Sequence, residues 1–260
     1  MPTLKENVIA KHNRFAQEHR TNDRSGWQVT LGYGDYLNYG YWTEDTKTGA
    51  EASEAMLERL LAKIPDKSGL ILDVACGLGA TSRYLARYYP PEKIIGINIA
   101  DDQIRHCAEK LPGARFEVMR AEALAFEDGG VDDIISIEAA FHFETRLDFL
   151  KEAHRVLKPG GRLLLSDIFT DRDHPLQPAE NRVADLDAYR EVYRAAGFER
   201  VEVEDATGPC VRGMTDAVWR AIRRLQAAGK VTDEFVESTK RSLVARRNVL
   251  TYVLVCAQKS

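Results

Sequence analysis

The sequence has no pairing pattern for its cysteines. Cys76, Cys107, Cys210 and Cys256 stand far apart, with no CxxC and no Cys/His ligand spacing, so neither a disulfide framework nor a zinc knuckle is encoded. Thiols in a reducing cytoplasm are the simplest reading. Long apolar runs are also missing: no stretch approaches the roughly 18 residues of a membrane span, and MPTLKENVIAKHNRF has no apolar signal core. The expectation is a cytoplasmic protein with no membrane partner. Charge of one sign is not in excess, since 36 Lys and Arg face 40 Asp and Glu for a net −4, and this argues against a nucleic-acid partner. No metal site is expected, because an HxxxH pair and an acidic calcium loop are both lacking. A nucleophile elbow for Ser-His-Asp chemistry is lacking too.

What is present suits an α/β protein. The 260 residues, 44% apolar and 29% charged, are enough for one sizeable domain with appendages. Strand patterns fall at 70–74, 93–97, 114–120, 132–137, 161–169, 201–204 and 250–257, and helical patterns at 54–64, 81–89, 101–110, 145–157 and 186–196, with two more within 214–247. The helix at 145–157 is expected to end at the KPGG sequence. Such alternation predicts a Rossmann-like, mainly parallel seven-stranded sheet with helices on both faces and its ligand at the carboxyl ends of the strands. Residues 1–50 differ, being helical at first and then aromatic, with Tyr33, Tyr36, Tyr39, Tyr41 and Trp42 close together. They are expected to form a lid over a domain at 51–260, with Val8 and Phe15 joining the cover.

The most informative stretch is ILDVACGLGATS, residues 71–82. A strand runs into Gly77 and Gly79 and then a helix, an order that lets a nucleotide-like ligand approach the backbone. Asp73 discriminates between ligands. A carboxylate there disfavours a dinucleotide pyrophosphate and stabilises a cation, and S-adenosylmethionine carries both an ammonium and a sulfonium. A nicotinamide-dependent oxidoreductase is the rival reading, but Ser82 fills the third glycine position and Asn98 replaces the acid expected at the end of the second strand. A non-catalytic cofactor-binding protein is a further alternative.

Four ordered blocks, LDVACGLGAT, IIGINIADDQI, AEALAFEDGGVDDIIS and LKPGGRLLLSD, make the chain resemble the class I S-adenosylmethionine-dependent methyltransferases, in the branch acting on quinones, sterols and natural products. The NYGYW segment looks like that branch's lid. The resemblance implies that Asp73, Ala75, Gly77 and Gly79 surround the methionine end of the cofactor, with Tyr41 and Glu138 beside it. It implies Asn98 at the ribose, weaker than the usual carboxylate, with Ile99 and Gln103 near the adenine. Arg120 stands where the family has an acid, so Ala121 or Glu122 is expected to take over the adenine contact, and Arg120 itself reads as a solvated side chain.

Chemistry is expected beyond the fourth strand. His142 is the candidate general base, because imidazole titrates near neutrality; packing between Phe141 and Phe143 is the alternative. Tyr33, Phe141, Phe143 and Phe169 are expected to line an apolar acceptor pocket. Asp167 reads as a residue that orients a substrate or a histidine, or that caps the next segment, and His174 as part of a loop that covers the acceptor site or is merely exposed. His12, His19 and His154 read as surface residues of helices. Arg220, Arg223, Arg224, Arg241, Arg246 and Arg247 read as solvated faces, or as ligands of a phosphorylated acceptor. The function implied is methyl transfer from S-adenosylmethionine to a small-molecule acceptor. O-methylation of a natural-product or polyketide-like hydroxyl is favoured, C-methylation of an isoprenoid or its diphosphate and N-methylation stay open, and so does a homodimer.

Overall fold

Ile71–Val74 forms the central strand β1, with all four residues buried, because a strand of Ile, Leu and Val needs cover on both faces. The structure is a computed structural model, and it describes residues 30–172, 177–247 and 251–260. The first helix, α1, spans Gly49–Leu61. After β1 come α2 (Ala80–Leu85), β2 (Ile94–Asn98), α3 (Asp101–Lys110), β3 (Arg115–Val118) and β4 (Val131–Ile137). Then follow α4 (Arg146–Val156), β5 (Leu157–Phe169), α5 (Leu186–Ala195), β6 (Arg200–Asp205), α6 (Gly213–Ala227), α7 (Asp233–Arg247) and β7 (Thr251–Gln258). The expected N-terminal helix, with Val8, Phe15, His12 and His19, and the loop position His174 lie outside the described residues.

The seven strands make one sheet in the order β3-β2-β1-β4-β5-β7-β6, as the alternation predicted. All neighbours are parallel except β7, which runs antiparallel to both β5 and β6. One face packs Leu72, Val74, Ile95 and Ile97 against Phe149 and Leu150 of α4 and Tyr189 of α5. The other packs Ile71, Ile94 and Ile135 against Met56 and Leu57 of α1 and Tyr84 of α2. A third cluster joins Leu31, Tyr33 and Trp42 to Met214, Val218 and Ile222 of α6 and Val236 and Leu243 of α7. The aromatic segment is therefore roofed by α6 and α7, which are inserted between β6 and β7.

Side chains mark the helix starts. Thr48 accepts from the Glu51 N–H at 3.2 Å, Thr145 from Asp148 at 3.0 Å, and Asp185 from Asp187 and Ala188 at 3.0 and 2.8 Å. Each such cap is worth about 1 kcal/mol. The KPGG segment differs from expectation, because β5 begins directly at Leu157, which pairs with Val131. The Gly160 N–H donates to Lys259 O at 2.9 Å and the Lys259 N–H to Gly161 O at 3.0 Å, so the turn is absorbed into the sheet margin rather than left as a loop. Helix α2 ends at Leu85, short of the expected 89, in tighter turns ahead of Pro90 and Pro91.

The aromatic segment meets α1 very closely. Gly49 donates its N–H to Leu31 O at 2.7 Å, and a Cβ there would stand 2.1 Å from the Tyr33 ring. Gly49→Ala is expected to destabilise the fold by about 1 to 3 kcal/mol, read as a lower urea midpoint at unchanged slope.

Candidate active site

Beyond β1 the backbone turns sharply. Ala75 (φ 60), Gly77 (φ 55) and Gly79 (φ 73) are all left-handed. Gly79 has no room for a side chain, since a Cβ would lie 2.8 Å from Cys107 Sγ on α3, while a Cβ at Gly77 would meet the Leu37 side chain at 3.3 Å. Ala75 was expected to leave the turn unchanged. The turn is intact, but an alanine held there costs about 1 to 2 kcal/mol that glycine would not. Cys76 and Cys107, distant in sequence, bring their sulfurs to 4.0 Å. Hydrogen bonding to Cys107 and burial push the Cys76 thiol well up, so it sits at the turn as a neutral group.

Asp73 lies beneath this turn, only 1% exposed, rather than at its mouth. Its carboxylate accepts from Ser82 Oγ at 2.6 Å and so braces the end of β1 against the start of α2. Burial raises its pKa to about 7, opposed by the Ser82 hydrogen bonds. A cation seated on the turn would favour the ionised form.

At the end of β2, Asn98 Nδ2 donates to Gln103 Oε1 at 2.6 Å, and Asn98 Oδ1 accepts from the Ile99 N–H at 2.8 Å. Gln103 is fully buried and orients Asn98. One amide hydrogen and one lone pair of Asn98 are left by these two bonds for a diol. After β3, Arg120 pairs with Glu144 and, at 3.5 Å, with Glu122, whose carboxylate also accepts from the Glu144 N–H at 2.7 Å. Arg120 thus ties the loop after β3 to the loop after β4, with Ala121 buried beside it.

Glu138, one residue past β4, is also left-handed, at φ 49. Its Oε1 accepts from Tyr252 Oη at 2.7 Å and from the Tyr39 N–H of the lid. Two expectations need correction here. Tyr33 was expected in the acceptor pocket; it is fully buried, and its hydroxyl donates to Tyr39 O at 2.6 Å, so it holds the aromatic segment together. Tyr41 was expected at the cofactor; its ring instead lies under the Arg59 guanidinium, 4.5 Å from the centroid, and its N–H donates to Ala52 O at 2.7 Å. Both follow from the aromatic segment packing on α1.

On the acceptor side, Ala140–His142 forms one 3-10 turn. His142 stands at its end, its ring 3.7 Å from that of Phe141. The turn is held from behind: the Phe141 N–H donates to Asp167 Oδ1 at 3.0 Å, and Asn181 Nδ2 donates to Phe143 O at 2.8 Å and Phe141 O at 3.4 Å. Asp167 Oδ2 accepts from Arg146 Nε at 2.7 Å and Tyr189 Oη at 2.8 Å. Arg146, 1% exposed, also donates to Asn181 O at 2.8 Å and, from its backbone, to Asn181 Oδ1 at 2.6 Å. Asp167 therefore braces the turn and does not orient a substrate itself. Arg146 and Asn181 were missed by the sequence reading; nothing in their local spacing signals a partner across the fold. Phe169, expected in the pocket, is 2% exposed and stacks on Tyr189 at 5.1 Å, so it belongs to the core. Phe143 is half-buried, edge-on to Phe149.

Residues 72–165 match the family described as Methyltransferase domain. The chain is 30% identical to the fatty-acid O-methyltransferase of Mycolicibacterium smegmatis, over 86% of this chain and 83% of that one. The chain belongs to the class I S-adenosylmethionine-dependent methyltransferases. The erythromycin 3''-O-methyltransferase of Saccharopolyspora erythraea is 28% identical over 87% of this chain and 84% of that one. Among solved structures, geranyl diphosphate C-methyltransferase from Streptomyces coelicolor, in complex with S-adenosylhomocysteine, superposes with a TM-score of 0.69 at 16% identity over 100% of both chains. This methyltransferase transfers a methyl group from S-adenosylmethionine to a small-molecule acceptor. Its residues fit the donor: a turn stripped of side chains at Gly77 and Gly79, a half-committed amide at Asn98 and a carboxylate at Glu138. Bound there, S-adenosylmethionine supplies an electrophilic methyl on a sulfonium. No helix among the described residues is long and apolar enough to cross a membrane.

The raised pKa of Asp73 makes the methyltransferase pH-sensitive in a definite direction. From about pH 4 to 7 the unfolded chain releases this proton while the folded chain keeps it, so Asp73's contribution falls as pH rises and is flat above that window. Asp73→Asn is therefore expected to gain about 4 kcal/mol relative to wild type between those limits, measured as the difference between urea-unfolding free energies.

Proposed function

We propose that this methyltransferase O-methylates a hydroxyl on a fairly apolar natural-product or polyketide-like acceptor, with His142 as the general base. The observation that carries this reading is the braced turn of Ala140–His142, which follows β4, the strand paired with β1 ahead of its glycine turn. Methyl transfer is an in-line displacement, and holding the two reactants in line is worth about 7 to 11 kcal/mol at best. A hydroxyl also has a proton to lose, and a positioned base adds about 10²- to 10⁴-fold. Two relatives whose names state O-methylation, acting on erythromycin and on fatty acids, support oxygen as the acceptor atom.

In this reading Asp73, Ala75, Gly77 and Gly79 underlie the methionine end of the donor. Asn98, oriented by Gln103, meets the ribose; Ile99, Ala121 and Glu122 flank the adenine; Phe141 and Phe143 shape the acceptor side. Residues 1–50 act as a lid on a domain at 51–260, in a cytoplasmic protein that binds no nucleic acid and is able to form a homodimer. C-methylation of an isoprenoid diphosphate is the second reading, favoured by the full-length fold similarity to geranyl diphosphate C-methyltransferase. Against it, Arg220, Arg223 and Arg224 lie on the exposed side of α6, opposite Met214, Val218 and Ile222, which pack on the lid.

Incubation with methyl-labelled S-adenosylmethionine and an extract of the producing cells is expected to label one metabolite at oxygen, read by mass spectrometry; label at carbon would favour the second reading. His142→Ala is expected to lower turnover at least tenfold with donor affinity nearly unchanged in calorimetry. Near-normal turnover would assign His142 to packing.

A further inference from the structure

Glu138 is where the lid meets the sheet. Its left-handed backbone, φ 49, is a conformation that a non-glycine residue keeps only when its surroundings demand it. The demand is visible in its bonds. The Glu138 N–H donates to Ser166 O at 2.9 Å and Ser166 Oγ at 3.1 Å, which anchors the residue to β5. Its carboxylate then accepts from two directions, from Tyr252 Oη on β7 at 2.7 Å and from the Tyr39 N–H in the lid. The Tyr39 and Tyr252 rings stack, with centroids 6.0 Å apart and planes 26° apart. The other end of the same lid residue is held as well, since Tyr39 O accepts from Tyr33 Oη at 2.6 Å and Trp42 Nε1 at 2.8 Å. Tyr39 is thus gripped at its N–H and its C=O, and the grip on the N–H is an acidic side chain at the reaction end of the sheet.

We propose that Glu138 is the latch of the lid, a positioning residue whose negative charge makes closure respond to the charge of the methyl donor. The inference rests on the methyl-transfer reading above and deepens it. A hydrogen bond to an ionised acceptor is stronger than one between neutral groups, so the lid is held best while Glu138 carries its charge. β4 is the direct neighbour of β1, with Asp73 beside Ile135, so a cation on the glycine turn lies on the side of the sheet end where this carboxylate stands. Such a cation attracts the Glu138 carboxylate across the strand ends, so the charge of the donor and the grip on the lid act on one acidic group. Methyl transfer breaks the S–CH₃ bond with its electron pair left on sulfur, forms the acceptor O–CH₃ bond and sends the hydroxyl proton to His142. The positive charge therefore leaves the sulfur for the imidazole and then solvent, and the product thioether has no sulfonium to favour closure. The lid loosens when the reaction is over.

Two local reporters read the lid directly. Trp42 is 6% exposed and bonded to Tyr39, so with Trp27→Phe and Trp219→Phe it is the sole emitter, and the Tyr39 amide reports its own hydrogen bond in exchange experiments. Without ligand, Glu138→Ala is expected to speed Tyr39 exchange at least tenfold and red-shift Trp42 emission. In the wild type, saturating S-adenosylmethionine is expected to slow Tyr39 exchange at least fivefold more than saturating S-adenosylhomocysteine. Glu138→Gln, which keeps an acceptor oxygen but no charge, is expected to erase that contrast. Should Glu138→Ala not fold, Tyr252→Phe removes one donor to the carboxylate while keeping the ring, and is expected to raise Tyr39 exchange several-fold. Unchanged Tyr39 exchange in folded Glu138→Ala, or in Tyr252→Phe used in its place, overturns the latch. A Glu138→Gln protein that still distinguishes the two ligands overturns the charge response. Absence of any calorimetric binding of S-adenosylmethionine to the wild type overturns the methyl-transfer reading itself, whereas binding without a lid response overturns only this inference.

Discussion

The parallel pairing of β1 with β4 is the constraint on which the rest of the site depends. It sets Asp73 beside Ile135 in the middle of the sheet, and the chain order reverses at this seam. Helices from successive crossovers depart to opposite faces there, which leaves a crevice at the strand ends. Both strands leave the sheet through non-glycine residues in the left-handed region, Ala75 and Glu138. Neither conformation is favourable alone; each follows strands whose residues Leu72, Val74 and Ile134 on one face and Ile71 and Ile135 on the other are fully buried, and Glu138 is further held by its bonds to Ser166 and Tyr252. Strain at the two strand ends and rigidity within the strands are one arrangement seen at two places.

The Ala140–His142 turn is organised by charge instead of by apolar packing. Arg146 and Asp167 form an ion pair with side chains 1% and 0% exposed, and every oxygen of Asp167 is satisfied by Arg146, Tyr189 or the Phe141 N–H. A buried pair of this kind gains little net stability over an apolar substitute, since desolvation consumes most of the attraction. What it supplies is direction, because Arg146 holds Asp167 and Asn181, which in turn fix the Phe141 N–H and the Phe141 and Phe143 carbonyls around His142 in one geometry. The exposed pairs, such as Arg59 with Glu204 and Lys63 with Glu202, tie α1 and its following turn to β6 and contribute little energy.

The sheet was legible because hydrophobic periodicity and glycine or proline punctuation are local properties. The helix at 101–110 and the strand ends near 74, 98 and 137 fall where the pattern placed them. The glycine turn was legible for the same reason: strand, two glycines and helix are contiguous. What depends on distant partners was not. A tyrosine-rich stretch looks the same whether its rings line a cavity or pack the segment onto the domain, and Tyr33, bonded within the segment, and Tyr41, under the Arg59 guanidinium of α1, do the latter. Asp73 was read by its charge, yet its depth in the fold decides that charge. Arg146 looked like an ordinary first-turn residue of a helix, and Tyr252 like any aromatic in an apolar strand, until the fold set them against Asp167 and Glu138.

The place of β7 in the sheet has a consequence for assembly. It slots between β5 and β6 although the chain builds α5, β6, α6 and α7 before returning to it, so its pairing with β5 closes a long stretch of chain. Pairings of such large sequence separation are entropically late events. Tyr252, which donates to Glu138, takes its place in the sheet only with this last pairing.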